Sequence, residues 1–314
     1  MTARPALLLP SLLLLAGLLA ALPARAQEAD SLITGTLKTI SDRGTIRIGF
    51  REGAVPFAFR NRAGQPVGFS VDLCLGIAAD VAAALHRDLL EPDAPAWQTG
   101  IRIDYVPVAA DARLPMLVNG AIDLECGSTT ANAERARTIA FSPVFFVAGT
   151  KLLVKADNPA RSYRALAGRT VAVSAGTTNA AVMMRLAGTV SPPLTVHAVP
   201  SIEAAFDALA AGQADAMASD NILLAGTVAL RNAIGRYRII GDYLSYEPYA
   251  IGFRKDDPDF AALVTATFRR LAEAGTLRTM YNRWFLEKLP DGQRLDLPMS
   301  PELSEIFRAL GQPD

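Results

Sequence analysis

Two successive rounds of strand-type and helix-type segments run through this chain, and they confine it to few folds. The first opens at "GTIRIGF", residues 44–50, where Ile46, Ile48 and Phe50 alternate at the period of a strand with one buried face. In "GFSVDLCLGIAADVAAALHRDLL", Val71, Leu75, Ala78, Ala82, Leu85 and Leu89 recur at steps of four and three, the spacing of one buried helical face. "IRIDYVPV" then predicts a strand, "ARLPMLVNG" a helix and "AIDLECG" a strand. The second round follows as "GRTVAVSAGTT" (strand and turn), "NAAVMMRL" (helix), "LTVHAV" (strand), "SIEAAFDALAAG" (helix) and "QADAMAS" (strand). Such alternation implies mainly parallel sheets covered by helices, so two rounds imply an α/β fold of two lobes.

The second lobe echoes the first. Gly120, Asp123 and Ser128 have the spacing of Gly212, Asp215 and Asp220, which predicts matching positions for Ser128 and Asp220 at facing strand tips. The apolar segments "FFVAGTKLLVK" and "EPYAIGFRK" are the expected crossovers, leaving lobe one near Val147 and returning near Ile251. Residues 260–287 are expected to form two helices split at "AGT", with Gly275 ending one and Thr276 capping the next; Trp284 is expected in the core. The domain division is therefore 1–26 leader, 27–147 first part of lobe one, 148–250 lobe two, and 251–314 return to lobe one with C-terminal helices.

The leader is a secretory signal: Arg4 precedes the apolar run "LLLPSLLLLAGLLAAL", and Ala24 and Ala26 occupy small-residue positions that place cleavage after Ala26. No later stretch approaches the roughly 20 apolar residues of a membrane span. Without Arg4 and Arg25 the 31 basic residues become 29 against 31 acidic, a balance that makes nucleic acid a poor partner. Cys74 and Cys126 would lie in an oxidising compartment, where either a disulfide or two buried thiols fits the sequence.

Catalytic signatures are missing: the sequence has no HExxH, GxSxG, CxxC, GxxxxGK[ST] or strand-linked GxGxxG. With only His86 and His197, it is poorly supplied for a metal, and no cofactor is implied. What remains suits a charged ligand. In "CGSTTANAERAR", Ser128 and Thr130 lie where a strand is expected to give way to a helix, with Arg135 in that helix's first turns and Arg137 pointing elsewhere; the alternative is that both arginines are solvated or pair with Glu134. A planar guanidinium beside free N–H groups can hold a carboxylate through two parallel hydrogen bonds. Thr177 and Thr178 of "SAGTTNA" supply a second set of donors, and Asp220 is either an acceptor for an ammonium or the N-cap of "NILLAGTVAL".

Together "GTIRIGFREGAVPFAF", "LVNGAIDLECGSTTANAERARTIAFSPVFF", "LAGRTVAVSAGTTN", "GQADAMASDNILLAG" and "AGTLRTMYNRWF" resemble the periplasmic solute-binding proteins of polar amino-acid uptake by ATP-binding-cassette transporters. "FREGAVPF", "ECGSTT" and "RKDDP" bring the likeness closest to the glutamate and aspartate branch. The resemblance implies a two-lobed type II periplasmic binding protein, a Venus flytrap with two crossover hinge strands, that is monomeric, binds an amino acid and docks on an inner-membrane permease. It assigns the α-carboxylate to Arg135 with Thr130 and Thr178, the α-ammonium to Asp220 and Ser128, and the side-chain carboxylate to Arg51 and Arg113. Against this, Arg51 could pair with Glu52 and Arg113 with Asp111 at the surface. Where the acidic branch has a serine and a histidine, this chain has Ala110 and Ile202, which removes two polar partners. The rival function on the same fold is a dehydratase acting on prephenate or arogenate.

Overall fold

In the computed structural model, residues 33–290 and 292–313 are described. The leader and its cleavage after Ala26 lie outside them. Helix α1 (Gly35–Arg43) leads into β1 (Thr45–Phe50), then a small antiparallel sheet of β2 (Gly53–Ala54), β3 (Ala58–Arg60) and β4 (Pro66–Val67). There follow α2 (Phe69–Ala84), β5 (Arg102–Pro107), α3 (Arg113–Val118), β6 (Leu124–Glu125), β7 (Ile139–Phe141) and β8 (Phe146–Ala148). The second round comprises β9 (Thr150–Lys155), β10 (Thr170–Ser174), α4 (Thr178–Ala187), β11 (Thr195–Val199), α5 (Ile202–Ala210), β12 (Ala216–Asp220), α6 (Asn221–Leu230) and β13 (Tyr237–Ile240). The chain returns through β14 (Glu247–Tyr249) and β15 (Gly252–Arg254) to α7 (Pro258–Glu273), α8 (Thr276–Phe285) and α9 (Pro301–Ala309).

Each round builds one five-stranded sheet, in the orders β5-β1-β6-β15-β7 and β11-β10-β12-β9-β13. Strand β1 is parallel to β5 and β6, and β10 is parallel to β11 and β12, as the alternating order requires. The late strand β15 inserts antiparallel between β6 and β7, so the first sheet is complete only after the chain has made the second. The echo in the sequence has a structural cause. Gly120 and Gly212 turn with φ of 76° and 75°, values that disfavour a side chain. Three residues on, Asp123 accepts from the Arg47 N–H at 2.8 Å and Asp215 from the Thr170 N–H at 2.9 Å, each fastening its strand to the neighbour.

The lobes are joined by a ribbon in which β8 and β14 run antiparallel, with Val147 opposite Pro248. The return crossing thus lies at Glu247–Tyr249, a little before the expected Ile251, whose carbonyl already accepts from Ser142 N at 2.9 Å beside the first sheet. The other edge of β14 meets the Thr130 segment, where Ala131 N donates to the Pro248 carbonyl at 2.8 Å, so Pro248 takes part as an acceptor although it has no N–H to offer. Aromatic packing anchors the ribbon to lobe one: Phe146 stacks on Phe285 at 5.1 Å and Phe57 meets Tyr249 edge-on at 5.0 Å. The lobes also touch across the cleft. A Cβ on Gly226 in α6 would fall 2.2 Å from the Val55 carbonyl oxygen, and one on Gly176 would fall 2.6 Å from Asp111 Cα.

Helix α2 is buried more broadly than the sequence spacing implied. Leu73, Cys74, Ile77 and Val81 are sealed, while Leu75 is only half-buried, because both α7 and α8 pack against the helix as well as the sheet; Leu89, expected on the same face, lies beyond the helix end at Ala84. Cys74 and Cys126 form a disulfide, resolving the open alternative. Trp284 lies in the core, edge-on to Phe59, with its Nε1 donating to Asp72 at 2.7 Å. Gly275, in left-handed conformation, occupies the N-cap position of α8 where Thr276 was expected; Thr276 is the first helical residue.

Candidate ligand-binding cleft

The three arginines singled out in the sequence are all buried, which excludes surface pairing. Arg51 follows the end of β1 and is 8% exposed, Arg113 opens α3 at 3%, and Arg135 is 9% exposed. Glu52, the expected surface partner of Arg51, pairs with Arg60 instead. Burial lowers Arg51 to about 10, with Arg113 as the next cause, and the same two causes in the same order lower Arg135 to about 10. Both remain cationic at neutral pH, so like charges are being held together at a cost. Glu125, fully buried nearby, opposes that cost for both residues, yet neither of its oxygens has a hydrogen-bond partner.

A narrow cleft lies between the lobes, almost filled by its own side chains, with only about 20 Å³ left free. Arg51, Arg113, Ser128 and Thr130 line it from lobe one, and Thr177, Thr178 and Asp220 from lobe two. Arg135 is not among the lining side chains. It stands behind Thr130, its Nη1 donating to the Thr130 carbonyl at 3.0 Å. The helix expected around Arg135 is absent; Asn132 Oδ1 takes the Arg135 N–H at 2.9 Å and only a short 3-10 turn, Arg135–Arg137, follows. That bond, with Ala136 N donating to the Asn132 carbonyl at 3.0 Å, makes Asn132 an N-cap, so a turn starts here but goes no further than Arg137. Arg113 Nε and Ser174 Oγ are buried at this site without partners, an arrangement that polar groups tolerate poorly.

Asp220 ends β12 at the N-cap position of α6, but its side chain makes no capping bond. Instead Oδ1 accepts from Asn179 Nδ2 at 2.7 Å and Oδ2 from the Tyr249 hydroxyl. Burial, then the nearby Glu247 charge, push its carboxyl from 3.8 up to about 6. The cleft therefore gathers two guanidiniums, with a third buried behind Thr130, and, against its second lobe, a carboxylate held in low dielectric.

Residues 46–287 match the family described as bacterial extracellular solute-binding proteins, family 3. The chain belongs to this family. Among relatives, it is 32% identical over 307 residues to the glutamate/aspartate import solute-binding protein of Escherichia coli (strain K12), covering 98% of this chain and 95% of that one. It is 32% identical over 300 residues to the L-glutamate/L-aspartate-binding protein of Pseudomonas aeruginosa, covering 95% of each. Among solved structures, an ancestral amino acid-binding protein described as a precursor of cyclohexadienyl dehydratase superposes with a TM-score of 0.65 at 28% identity, covering 80% of this chain and 99% of that one. The fold is that of this solute-binding family, as the two sheets and paired crossovers require.

In this solute-binding protein the two threonines differ from the role the sequence suggested. Both line the cleft, but their hydroxyl protons are engaged: Thr130 Oγ1 donates to Glu247 Oε2 at 2.6 Å and Thr178 Oγ1 to the same oxygen at 2.7 Å. Each hydroxyl has one proton, so each can offer a ligand only lone pairs. What remains for an anion is backbone: Thr178 is the first residue of α4, whose first-turn N–H groups have no intrahelical partner. Thr177 caps that helix, accepting from Ala180 N at 3.1 Å. Glu247, Asn179 and Tyr249 were missed. The available signal was a glutamate at the head of the apolar crossover "EPYAIGF", where burial demands partners. Ile202 lines the cleft, whereas Ala110 is buried outside its wall; His86 and His197 are exposed and take no part.

Proposed function

We propose that this protein is an extracytoplasmic receptor for an acidic amino acid, L-glutamate or L-aspartate, which it delivers to an inner-membrane ATP-binding-cassette permease. The observation that carries the reading is that buried Arg51 and Arg113 line a cleft whose opposite wall holds Asp220, with a third buried cation, Arg135, directly behind Thr130. Three cations kept out of water invite an anion, and a buried carboxylate across from them invites an ammonium. The names of the relatives agree, since both are glutamate and aspartate binders.

In this reading Arg135 and the backbone N–H groups at Thr130 and Thr178 take the α-carboxylate, Asp220 and Ser128 take the α-ammonium, and Arg51 and Arg113 take the side-chain carboxylate. The apolar Ile202 in the wall leaves that last subsite fewer polar partners than the resemblance implies. The lobes, 27–147 with 251–314 and 148–250, close about the β8–β14 ribbon because the ligand touches both. The mature chain begins after Ala26, is periplasmic and monomeric, and binds no nucleic acid. Among the described residues no helix is long and apolar enough to cross a membrane.

A receptor suits the cleft better than a dehydratase. A general acid must be free to reach a leaving group. Here Asp220 is engaged by Asn179 and Tyr249, Glu247 by Thr130, Thr178 and Ser245, and Glu125, though without a hydrogen-bond partner, does not line the cleft. The test is a thermal-shift panel of amino acids and dicarboxylates on protein unfolded and refolded to strip carried-over ligand, since native-state binders raise the melting temperature. Glutamate and aspartate should raise it and prephenate should not turn over. A rise with only neutral or cationic amino acids would overturn the reading.

A further inference from the structure

Glu247 is 2% exposed and sits on the crossover strand β14, opposite Ala148 of β8, so it belongs to the joint between the lobes. One oxygen, Oε2, accepts from Thr130 of lobe one and Thr178 of lobe two, whose hydroxyls are 3.5 Å apart. The other, Oε1, accepts from Ser245 Oγ at 2.6 Å, and that hydroxyl shares a 2.7 Å hydrogen bond with Thr150 Oγ1 at the start of β9. A carboxylate oxygen with two acceptor directions can hold both threonines at once only when the lobes have come together. Opening the cleft by moving α4 away from the Thr130 loop would break at least one charge-assisted bond.

We propose that Glu247 is the positioning residue of closure: a hinge-strand carboxylate that ties Thr130 to Thr178 across the cleft and fixes the direction of both hydroxyl protons. It acts without touching the ligand, and it makes the Thr178 hydroxyl a part of the tie and not of the ligand grip. The proposal rests on the receptor reading, in which the lobes close on an amino acid.

A double-mutant cycle separates tie from grip. Glu247→Met keeps an unbranched side chain of similar length and removes both oxygens; Thr178→Val removes one hydroxyl and keeps the backbone N–H. Calorimetry and stopped-flow dissociation with L-glutamate are run on wild type, both single variants and the double variant, with a dye pair across the cleft to report closure. In wild type, Thr178→Val should weaken binding roughly tenfold, chiefly through faster release from a less closed population. In the Glu247→Met background the same change should cost less than about threefold, because the tie is already gone. Glu247→Gln, which keeps one accepting oxygen, should fall between wild type and Glu247→Met in release rate.

Equal costs of Thr178→Val in both backgrounds would overturn the proposal, showing that the hydroxyl grips the ligand directly. So would unchanged closure and release in Glu247→Met. If Glu247→Met does not fold, Glu247→Gln completes the same cycle, and equal costs there have the same meaning. Wild type that fails to bind glutamate but closes on another amino acid would refute the ligand assignment alone, and the cycle would be run with that amino acid.

Discussion

Replacing Asp220 with asparagine should make the ligand-free protein more stable and at the same time a poorer receptor. The carboxyl is fully enclosed, and burial followed by the Glu247 charge raises it from 3.8 to about 6. That rise corresponds to ~3 kcal/mol disfavouring the ionised form in the folded protein. Because the folded value lies above the unfolded one, the native state keeps a proton between about pH 4 and pH 6 that the unfolded chain has released. Stability from this group is therefore present below that window and lost as pH rises through it. The variant cannot ionise here, so its stability relative to wild type should grow by ~3 kcal/mol between pH 3.5 and pH 7. Asn179 can turn its amide to suit a new neighbour, with Thr150 Oγ1 as the adjustable third member. Binding should move the other way, since a ligand ammonium loses its counter-charge at a cost of about 2–5 kcal/mol. Urea unfolding at several pH values measures the first effect and calorimetry the second. A variant less stable than wild type at pH 7, or a stability difference that does not change with pH, would refute the argument from burial.

Arg135→Ala should weaken glutamate binding more than tenfold in calorimetry, because it strips a buried cation from the α-carboxylate seat. Arg113→Met should discriminate between ligands: glutamate affinity should fall by roughly tenfold or more while any weak glutamine binding changes little, as competition titration would read directly. Removing the Cys74–Cys126 disulfide with a paired alanine substitution should cost ~4 kcal/mol in urea unfolding, given a closure spanning 52 residues from α2 to the residue just past β6.

The sheets were legible because their strands carry strong period-two or continuous apolar patterns, as in "TIRIGF" and "TVAVS", and because Asp123 and Asp215 repeat a fastening that leaves a sequence trace. Of the charged groups lining the cleft, only Asp220 was read from its place at a strand end; Arg51 and Arg113 came from the family resemblance. What stayed hidden depends on contacts between distant segments. Thr130, Thr178 and Glu247 are separated by 48 to 117 positions along the chain, so nothing local shows that both hydroxyls point at one carboxylate. At Arg135 the N-cap from Asn132 was present but the turn it starts stops at Arg137, and the broader burial of α2 follows from α7 and α8, which the chain supplies nearly 200 residues later.

The central claim is that opposed lobes jointly neutralise a zwitterion carrying an extra carboxylate. A crystal structure of the refolded protein with L-glutamate tests it most directly. The account requires the α-carboxylate at Arg135, the ammonium at Asp220, and the side-chain carboxylate between Arg51 and Arg113. Glutamate bound with Arg135 and Asp220 both out of contact, or an ordered ligand seated anywhere but this cleft, would contradict it.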